Sequence, residues 1–424
     1  ANNYFRQGGT SLLVTRVTHG DFAPAFTSGS TAGSGNSGIM NTETSQSFQI
    51  QTISEGTIMN NYAATDAARG TLALGTADNV RWQIAGVNTG SGTFSLIVRQ
   101  GNDTSNSPSI LETWNDLSLD PFQPNYIERV IGNSTFSIAQ DGVDYYVKTT
   151  GDYLNKSRYI TVKSVLTPTP NFFNNAGGIS SGSAGTLYSK FIPVASSGSF
   201  TGATGLNISA PMSPAKFNSA IIDTNIQGLT ATDYSASISL LNNKDDYNFN
   251  VVVAPGLIGD SSFTNSLVQV NSLVALAENR QDCITVVDPS AYGKTVSQTV
   301  ASATAFDSSY AAAYWPWLQA IDPTSGMTTW SPASAFIPGV YSFTDASSEP
   351  WFAPAGLVRG ALGNVIRAEQ RLTSGQRDTL YSGNVNPIAT FPAAGVVVFG
   401  QKTLQRRASA LDRVNVRRLL IAVK

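Results

Sequence analysis

Ser180 lies in Gly178-Ile179-Ser180-Ser181-Gly182, the G-x-S-x-G spacing that can hold a nucleophilic serine on a sharp strand-to-helix turn. Such a serine needs a base. The chain's one histidine, His19, precedes it, whereas the chain order of that fold places the histidine after the serine. The surrounding residues 174–205 are rich in Gly, Ser and Ala and read as a surface excursion. Gly33-Ser34-Gly35-Asn36-Ser37-Gly38 fits the G-x-G-x-x-G spacing of a dinucleotide site, but it sits in the low-complexity run 26–38, with no strand leading in and no helix leading out. Gly293-Lys294-Thr295 resembles the end of a phosphate loop. Asp288 holds the first glycine position of that pattern, where its charge would repel phosphate, so the match reads as chance or a helix start.

The carboxylate pairs are Asp245-Asp246 and Asp141 with Asp144. Asp141-Gly142 is a hairpin-turn signal, and Asp245-Asp246 falls between a candidate helix and a strand, so both pairs read as solvated turn acids. A calcium loop would need further oxygen ligands at alternating positions, and none is present. A single histidine excludes multi-histidine metal sites. Cys283, the lone cysteine, sits in the apolar run CITVVD and reads as a packed thiol with no disulfide partner. Glycosylation sequons begin at Asn102, Asn133, Asn155 and Asn207. No charged n-region followed by an apolar stretch opens the chain, so they read as inert. The expectation is a chain with no catalytic residue, no cofactor and no metal.

What elements, then, position these residues? At 424 residues the chain exceeds what one hydrophobic core sustains, which predicts two or three domains. Charged residues are 13%, against the usual quarter, and Gly, Ser, Thr and Asn fill the gap, which favours turn-rich β structure. The net charge of −2 gives no bulk attraction to nucleic acid or membrane, and no apolar run approaches a spanning helix, so the chain reads as soluble. TSLLVTRV (residues 10–17) reads as a buried strand. Short alternating runs follow: SFQIQTI, VRWQIAG, TFSLIVRQ, VDYYVKT and RYITVKSV, as in an antiparallel sandwich or barrel. Near Thr230 the period changes. Asp233 or Thr232 caps a short helix, 247–254 reads as a strand ending at Pro255-Gly256, 262–279 as an amphipathic helix, and CITVVD as a strand. Helices near 332–345 and 374–381 and a strand over 396–399 complete a parallel α/β body.

From Tyr310 to Arg418 the chain carries a dense series of aromatic, Pro and Gly residues that looks rigid and chemically inert, suited to a packing or assembly surface. Pro316 holds Tyr314-Trp315 extended before Trp317. Beyond it, Lys402, Arg406, Arg407, Arg413, Arg417, Arg418 and Lys424 face a single Asp412. This tail reads either as a solvated face or as an electrostatic seam. Without an aromatic for base stacking it is a poor nucleic-acid site.

The ordered series resembles contractile tail sheath proteins of myophages and related contractile injection machines. It comprises YAAAYWPWL (310–318) with Tyr314, Trp315, Pro316 and Trp317, and the turn Pro338-Gly339-Val340-Tyr341. Trp351 to Gly356 with Pro354, Asn386-Pro387-Ile388, Gly395 to Gly400 and VNVRRL (414–419) complete it. Upstream, Tyr4-Phe5, Gly8-Gly9 and Val253-Ala254-Pro255-Gly256 also match. The resemblance implies an α+β/α/β multidomain chain. Residues 1–18 open the α/β sheath core, 19–210 form an inserted antiparallel all-β outer domain (sandwich or barrel), and 211–424 complete the core. It implies a structural subunit that polymerises, as stacked hexameric rings, around an inner tail tube protein, meets baseplate and tail terminator proteins, and contracts without an active site. The expected location is the virion tail, with assembly in the host cytoplasm, no direct nucleic-acid contact and no membrane insertion. Arg406, Arg407, Arg413, Arg417 and Arg418 become candidate contacts to neighbouring subunits or the tube, and charge reversal at Arg417 or Arg418 is expected to impair assembly while leaving the melting temperature unchanged. Both ends read as interior to longer elements, so residues upstream and a terminal arm downstream are expected to be missing. The alternatives are a tailocin or type VI secretion sheath and, from a different class, a carbohydrate-binding tail protein using aromatics such as Trp82 and Trp114.

Overall fold

A computed structural model describes residues 1–20, 22–27, 38–43, 45–56, 59–60, 65–66, 71–72, 74–142, 144–182, 184–204, 221, 229–322 and 326–423. The pattern Gly33 to Ser37, the sequon at Asn207, the expected boundary at residue 210 and Lys424 lie outside these residues. The chain divides into two compact units. One comprises 1–19, 140–146 and 212–424, and the other 20–139 and 147–211. The helices are α1 (Asn2–Arg6), α2 (Ile127–Ile131), α3 (Tyr234–Leu240), α4 (Thr264–Arg280), α5 (Val296–Ala303), α6 (Ile337–Ser347), α7 (Ser374–Ser382) and α8 (Val414–Val423).

The second unit, apart from the β9–β10 tip at residues 140–146, is built on β1 (Pro24–Thr27), β2 (Ile39–Met40), β3 (Gln46–Glu55), β4 (Thr65–Asp66), β5 (Thr71–Leu72), β6 (Val80–Asn88), β7 (Thr93–Gln100), β8 (Ile110–Ser118), β9 (Thr135–Asp141), β10 (Asp144–Thr150), β11 (Ile160–Val165) and β12 (Ser196–Thr201). Its main sheet is antiparallel, in the order β11-β3-β1-β12-β6-β7-β8, with β2 on β3. Period-2 patterning puts Trp82 and Ile84 of β6 and Phe94, Leu96 and Val98 of β7 in one core. Trp82 is fully buried, its indole N–H donates to the Ser199 carbonyl at 3.1 Å, and a Cβ on Gly198 would lie 2.7 Å from its ring. Helix α2 seals the sheet's ends with Ile127 and Ile131, and its C-terminal carbonyls at Ile131 and Gly132 accept from Lys156 and Val162. β9 and β10 form a separate hairpin, with Gly142 (φ +61°) in its turn.

In the first unit, β13 (Val251–Ile258), β14 (Ile284–Asp288), β15 (Ala311–Trp315), β19 (Val385–Phe391) and β20 (Gly395–Val398) form one sheet, parallel except for the β19–β20 hairpin. Both faces are covered, which is why these strands read as unbroken apolar runs. Cys283, just ahead of β14, together with Val287, Ala311, Ala313, Trp315 and Val385, packs with Leu273 and Ala277 of α4 and Leu380 of α7. Their neighbours Ile284, Val286, Ala312, Tyr314 and Ile388 pack with Ile337, Val340 and Tyr341 of α6 and Val414 of α8. A smaller antiparallel sheet joins β16 (Leu318–Ile321), β17 (Thr328–Ser331) and β18 (Val365–Ala368). Capping boxes start α5 at Thr295 with Gln298 and α7 at Thr373 with Gln376, so Gly293-Lys294-Thr295 is a helix start.

Three expectations differ from the structure. Residues 10–17 form no strand, and Leu12, Leu13 and Val14 are exposed; strand-like composition makes no strand without a ladder partner. β13 does not end at Pro255-Gly256 but runs through it to Ile258, because a register shift between Val253 and Ile258 accommodates the proline and Gly256 takes φ +103°. Pro338-Gly339-Val340-Tyr341 is the first turn of α6, where proline needs no N–H partner, rather than a free turn. Asp233 does occupy the N-cap position of α3, and its carboxylate accepts from the Thr230 N–H at 2.6 Å, closing the capping box of the short 3-10 turn (Ala231–Asp233) that leads into the helix.

The outer edge of β20 is closed by backbone. Gly356 N–H donates to Val398 O at 2.8 Å, Val398 N–H to Gly360 O at 2.8 Å, and Leu362 N–H to Val396 O at 3.0 Å. A Cβ on Gly360 would sit 2.4 Å from Val398 O. Gly360→Ala is expected to lift this cover and cost about 1–3 kcal/mol, read as a lower urea midpoint; an unchanged midpoint would contradict the close approach.

Candidate functional site

The residues with chemical potential are consumed by structure. Ser180 sits between two isolated β-bridges, its N–H donating to Phe172 O at 2.9 Å, with no nucleophile turn. His19 Nδ1 lies 3.1 Å from both carboxylate oxygens of Asp233. Burial pushes the Asp233 carboxyl up, but the Thr230 N–H and His19 outweigh it and hold it below its ordinary value. Cys283 is fully buried, and burial beside Asp282 raises its thiol to about 12, leaving it inert. Lys294 pairs with Asp260 at 3.4 Å, and the Gly293 N–H donates to Glu369 Oε1 at 2.5 Å, so this loop offers no phosphate cradle. Asp245 and Asp246 lie exposed in a turn shaped by Asn243. Among the described residues no three His, Cys, Asp or Glu side chains gather as a metal site, and no helix is long and apolar enough to cross a membrane.

The aromatic and proline-rich series instead forms the interior. Tyr314, Trp315 and Trp317 are at most 2% exposed, and Pro316, joined to Trp315 by a cis bond, is buried between them. The three rings enter three different clusters: Trp315 faces α4 and α7, Tyr314 faces α6, and Trp317 meets Tyr292 and Trp330. Trp317 also donates its indole N–H to Ser290 O at 3.0 Å. Asn386, fully buried, bridges β15 to the following loop, donating to Ala313 O (3.0 Å) and Lys402 O (2.7 Å) and accepting from Lys402 N–H (2.6 Å). Gly339, Pro354 and Gly400 are buried, Pro338 and Gly356 half-buried, and Gly395 is exposed in the β19–β20 turn with φ +69°. Trp351 departs from the packing role: it is 49% exposed, and its carbonyl accepts from Asn415 Nδ2 at 3.0 Å.

Arg417 and Arg418 differ from the outward position expected of the basic tail. Both are 7% exposed, on the inward face of α8 at i+3 and i+4 from buried Val414. Arg418 Nη2 donates to both Asp345 carboxylate oxygens, at 2.6 and 2.5 Å, and the guanidinium stacks 4.6 Å above the Tyr341 ring, whose hydroxyl meets that of Tyr314 at 2.8 Å. Arg417 lies 3.9 Å over Tyr310 and donates to Ser309 Oγ at 2.5 Å. Ring faces and a carboxylate offset part of the lost hydration, leaving Arg417 Nε and Arg418 Nη1 without a hydrogen-bond partner among the described residues, while Leu420 and Val423 point out. Arg413 is partly exposed and pairs with Asp412 at 3.0 Å; Arg406 and Arg407 are exposed.

Sequence reading also missed two buried charge sites. In the second unit, Arg99 forks onto Asp103 at 2.7 and 2.9 Å beside buried Arg81. In the first, Asp288 closes β14 with its carboxylate taken by the Ser334 N–H (3.0 Å) and hydroxyl (2.5 Å). The sequence signal for both was an acid inside or beside an apolar strand.

Two measurements test this interior. Arg418→Glu places a carboxylate against Asp345 and is expected to cost at least about 3 kcal/mol; an unchanged melting temperature would contradict the inward clamp. Burial raises the Asp288 carboxyl to about 7, against the pull of Ser334. An unfolded aspartate titrates near about 3.9. The stability linked to this group is therefore present below pH ~4 and lost as pH rises through ~7, by at most about 4 kcal/mol. Asp288→Asn retains an acceptor for the N–H and gives Oγ a donor, so it should flatten the fall in urea stability between about pH 5 and pH 8.5. Equal slopes for both proteins would rule this out.

Residues 227–404 match the family description "Phage tail sheath protein central domain". The tail sheath protein of Vibrio phage KVP40 is 29% identical over 223 residues, covering 46% of this chain and 32% of that protein. The tail sheath protein of Enterobacteria phage T4 is 30% identical over 213 residues, with the same coverage of 46% and 32%. The chain thus matches about a third of the length of these curated relatives. A sheath tail protein from Listeria innocua superposes with a TM-score of 0.43 at 10% identity, over 88% of this chain and 57% of that one, so the topology above stands on its own. Residues 227–404 thus match a phage tail sheath protein central domain, and the chain is similar over 46% of its length to tail sheath proteins of the phages KVP40 and T4.

Proposed function

We propose that this chain is the core of a structural subunit of a contractile phage tail sheath, one that polymerises as a helical tube around the inner tail tube and contracts to drive it through the host envelope. The observation that carries this reading is the match of residues 227–404 to the sheath central domain, in the unit whose rings and arginines are locked inward. A body so fixed suits a machine that stores energy in how rigid subunits pack and releases it by rigid-body repacking. It needs no active site.

The partners under this reading are other copies of the chain, in stacked hexameric rings, the tube protein, and the baseplate and tail terminator proteins. The location is the virion tail after assembly in the host cytoplasm. Residues 19–210 act as an inserted all-β domain on the outside of the tube. The exposed Arg406 and Arg407, with Arg413, remain the basic residues available to a neighbour or the tube. A tailocin or type VI sheath would share the same physics. The carbohydrate-binding reading loses its first residue, because Trp82 is strand core; retention on a glycan column would revive it.

Negative-stain microscopy of the intact sheath protein that contains this core should show tubes or striated polysheaths. Persistent monomers under every assembly condition would overturn the reading.

A further inference from the structure

Strands β13, β14, β15 and β19 run in one direction, so their first residues share one rim of the sheet. Two exposed groups of opposite charge lie on that rim. On the β15 and β19 side, the loop after β20 is tied down by Leu404 N–H to Ala311 O (2.8 Å), Arg406 N–H to Asp307 Oδ1 (2.9 Å) and Asn384 Nδ2 to Gln405 O (3.1 Å). Arg406 and Arg407 are exposed there, and neither side chain enters an ion pair among the described residues. Lys402, Arg406, Arg407 and Arg413 against Asp307 and Asp412 leave a local surplus of positive charge.

On the β13 and β14 side, the turn before β13 is stapled to the end of α4. Lys244 Nζ donates to Asn279 O (3.1 Å), and buried Arg280 donates to Leu241 O and Tyr247 O (both 2.7 Å). Asp245, Asp246 and Glu278 are exposed and enter no ion pair among the described residues, while Asp282 pairs with Arg280 at 2.8 Å. Four acids against Lys244 and Arg280 leave a negative surplus. Strands lie ~4.8 Å apart, which separates the two groups by about 10–14 Å, too far for direct pairing within one chain.

Resting on the self-assembly reading above, we propose that the Arg406–Arg407 loop of one copy docks against Asp245, Asp246 and Glu278 of a second copy beside it. β13 is one edge of the sheet, and β19 lies toward the other, next to the edge strand β20. Copies that share polarity around a common axis keep their rims level, so the basic side of one meets the acidic side of the next. Such a contact is heterologous and can repeat around a ring. Both groups are held by hydrogen bonds that tie side chains to backbone, which limits the ordering cost of docking, and like charges meeting in a slipped register would repel.

Sedimentation velocity on the chain at about 20 mM and about 500 mM salt tests this. The wild type should associate at low salt and weaken at high salt. Arg406→Glu with Arg407→Glu, and separately Asp245→Lys with Asp246→Lys, should each weaken association by about tenfold or more, and the chain carrying all four changes should recover it. If the wild type associates and the reversed chains associate equally well, or the four-change chain fails to recover, this contact is overturned while the sheath reading stands. A wild type that stays monomeric at both salt concentrations overturns the contact and weakens that reading as well.

Discussion

Burial of both faces of the parallel strands is the constraint on which the first unit depends. When a strand has no wet side, each successive residue must fit one of two different cores. In β15 this assigns Trp315 to the α4 and α7 side and Tyr314 to the α6 side. The alanines at 311–313 are fully buried and keep the strand narrow enough for helices to close over it. The next segment extends the same logic, because Trp317 leaves the sheet for a third cluster with Tyr292 and Trp330. Three consecutive packing layers are therefore fixed by four residues of sequence.

The same burial explains where the charges go. Arg417 and Arg418 sit on the helix face that covers Tyr310 and Tyr341, so their guanidinium groups are stacked and hydrogen-bonded instead of hydrated. Asn386 performs the equivalent task without charge, tying β15, β19 and the loop at Lys402 together. The result is a core in which the last helix and the sheet are joined by specific polar contacts as well as by apolar area. Specificity of this kind suits a subunit that must keep its shape while its neighbours move, which is the use proposed for it.

Much of this fold was legible in the sequence because hydrophobic period reports burial directly. The alternation in VRWQIAG and the helical spacing of 262–279 both gave the right element, whereas the Thr295–Gln298 and Thr373–Gln376 capping boxes that start α5 and α7 went unread. Residues 10–17 misled because composition carries no information about whether a ladder partner exists. The arginines of VNVRRLL misled for a related reason: charge suggests solvent unless one knows which rings and carboxylates face it, and Tyr310, Tyr341 and Asp345 are 73 or more positions away in the chain. Asp288 was invisible for the same cause, since Ser334 lies 46 positions away, whereas Arg99 and Asp103 are only four apart and what the sequence hid was their burial beside Arg81.

The central claim is that the segment from Tyr310 to Arg418 and helix α8 form one cooperative body with the parallel sheet. Native-state hydrogen exchange tests it most directly. Amides of α8, β15 and β19 should exchange only through the same global opening, with one shared free energy and one shared dependence on denaturant. Exchange of α8 at a much lower free energy than β15 and β19 would show that the inward arginines do not clamp it, and would contradict the account.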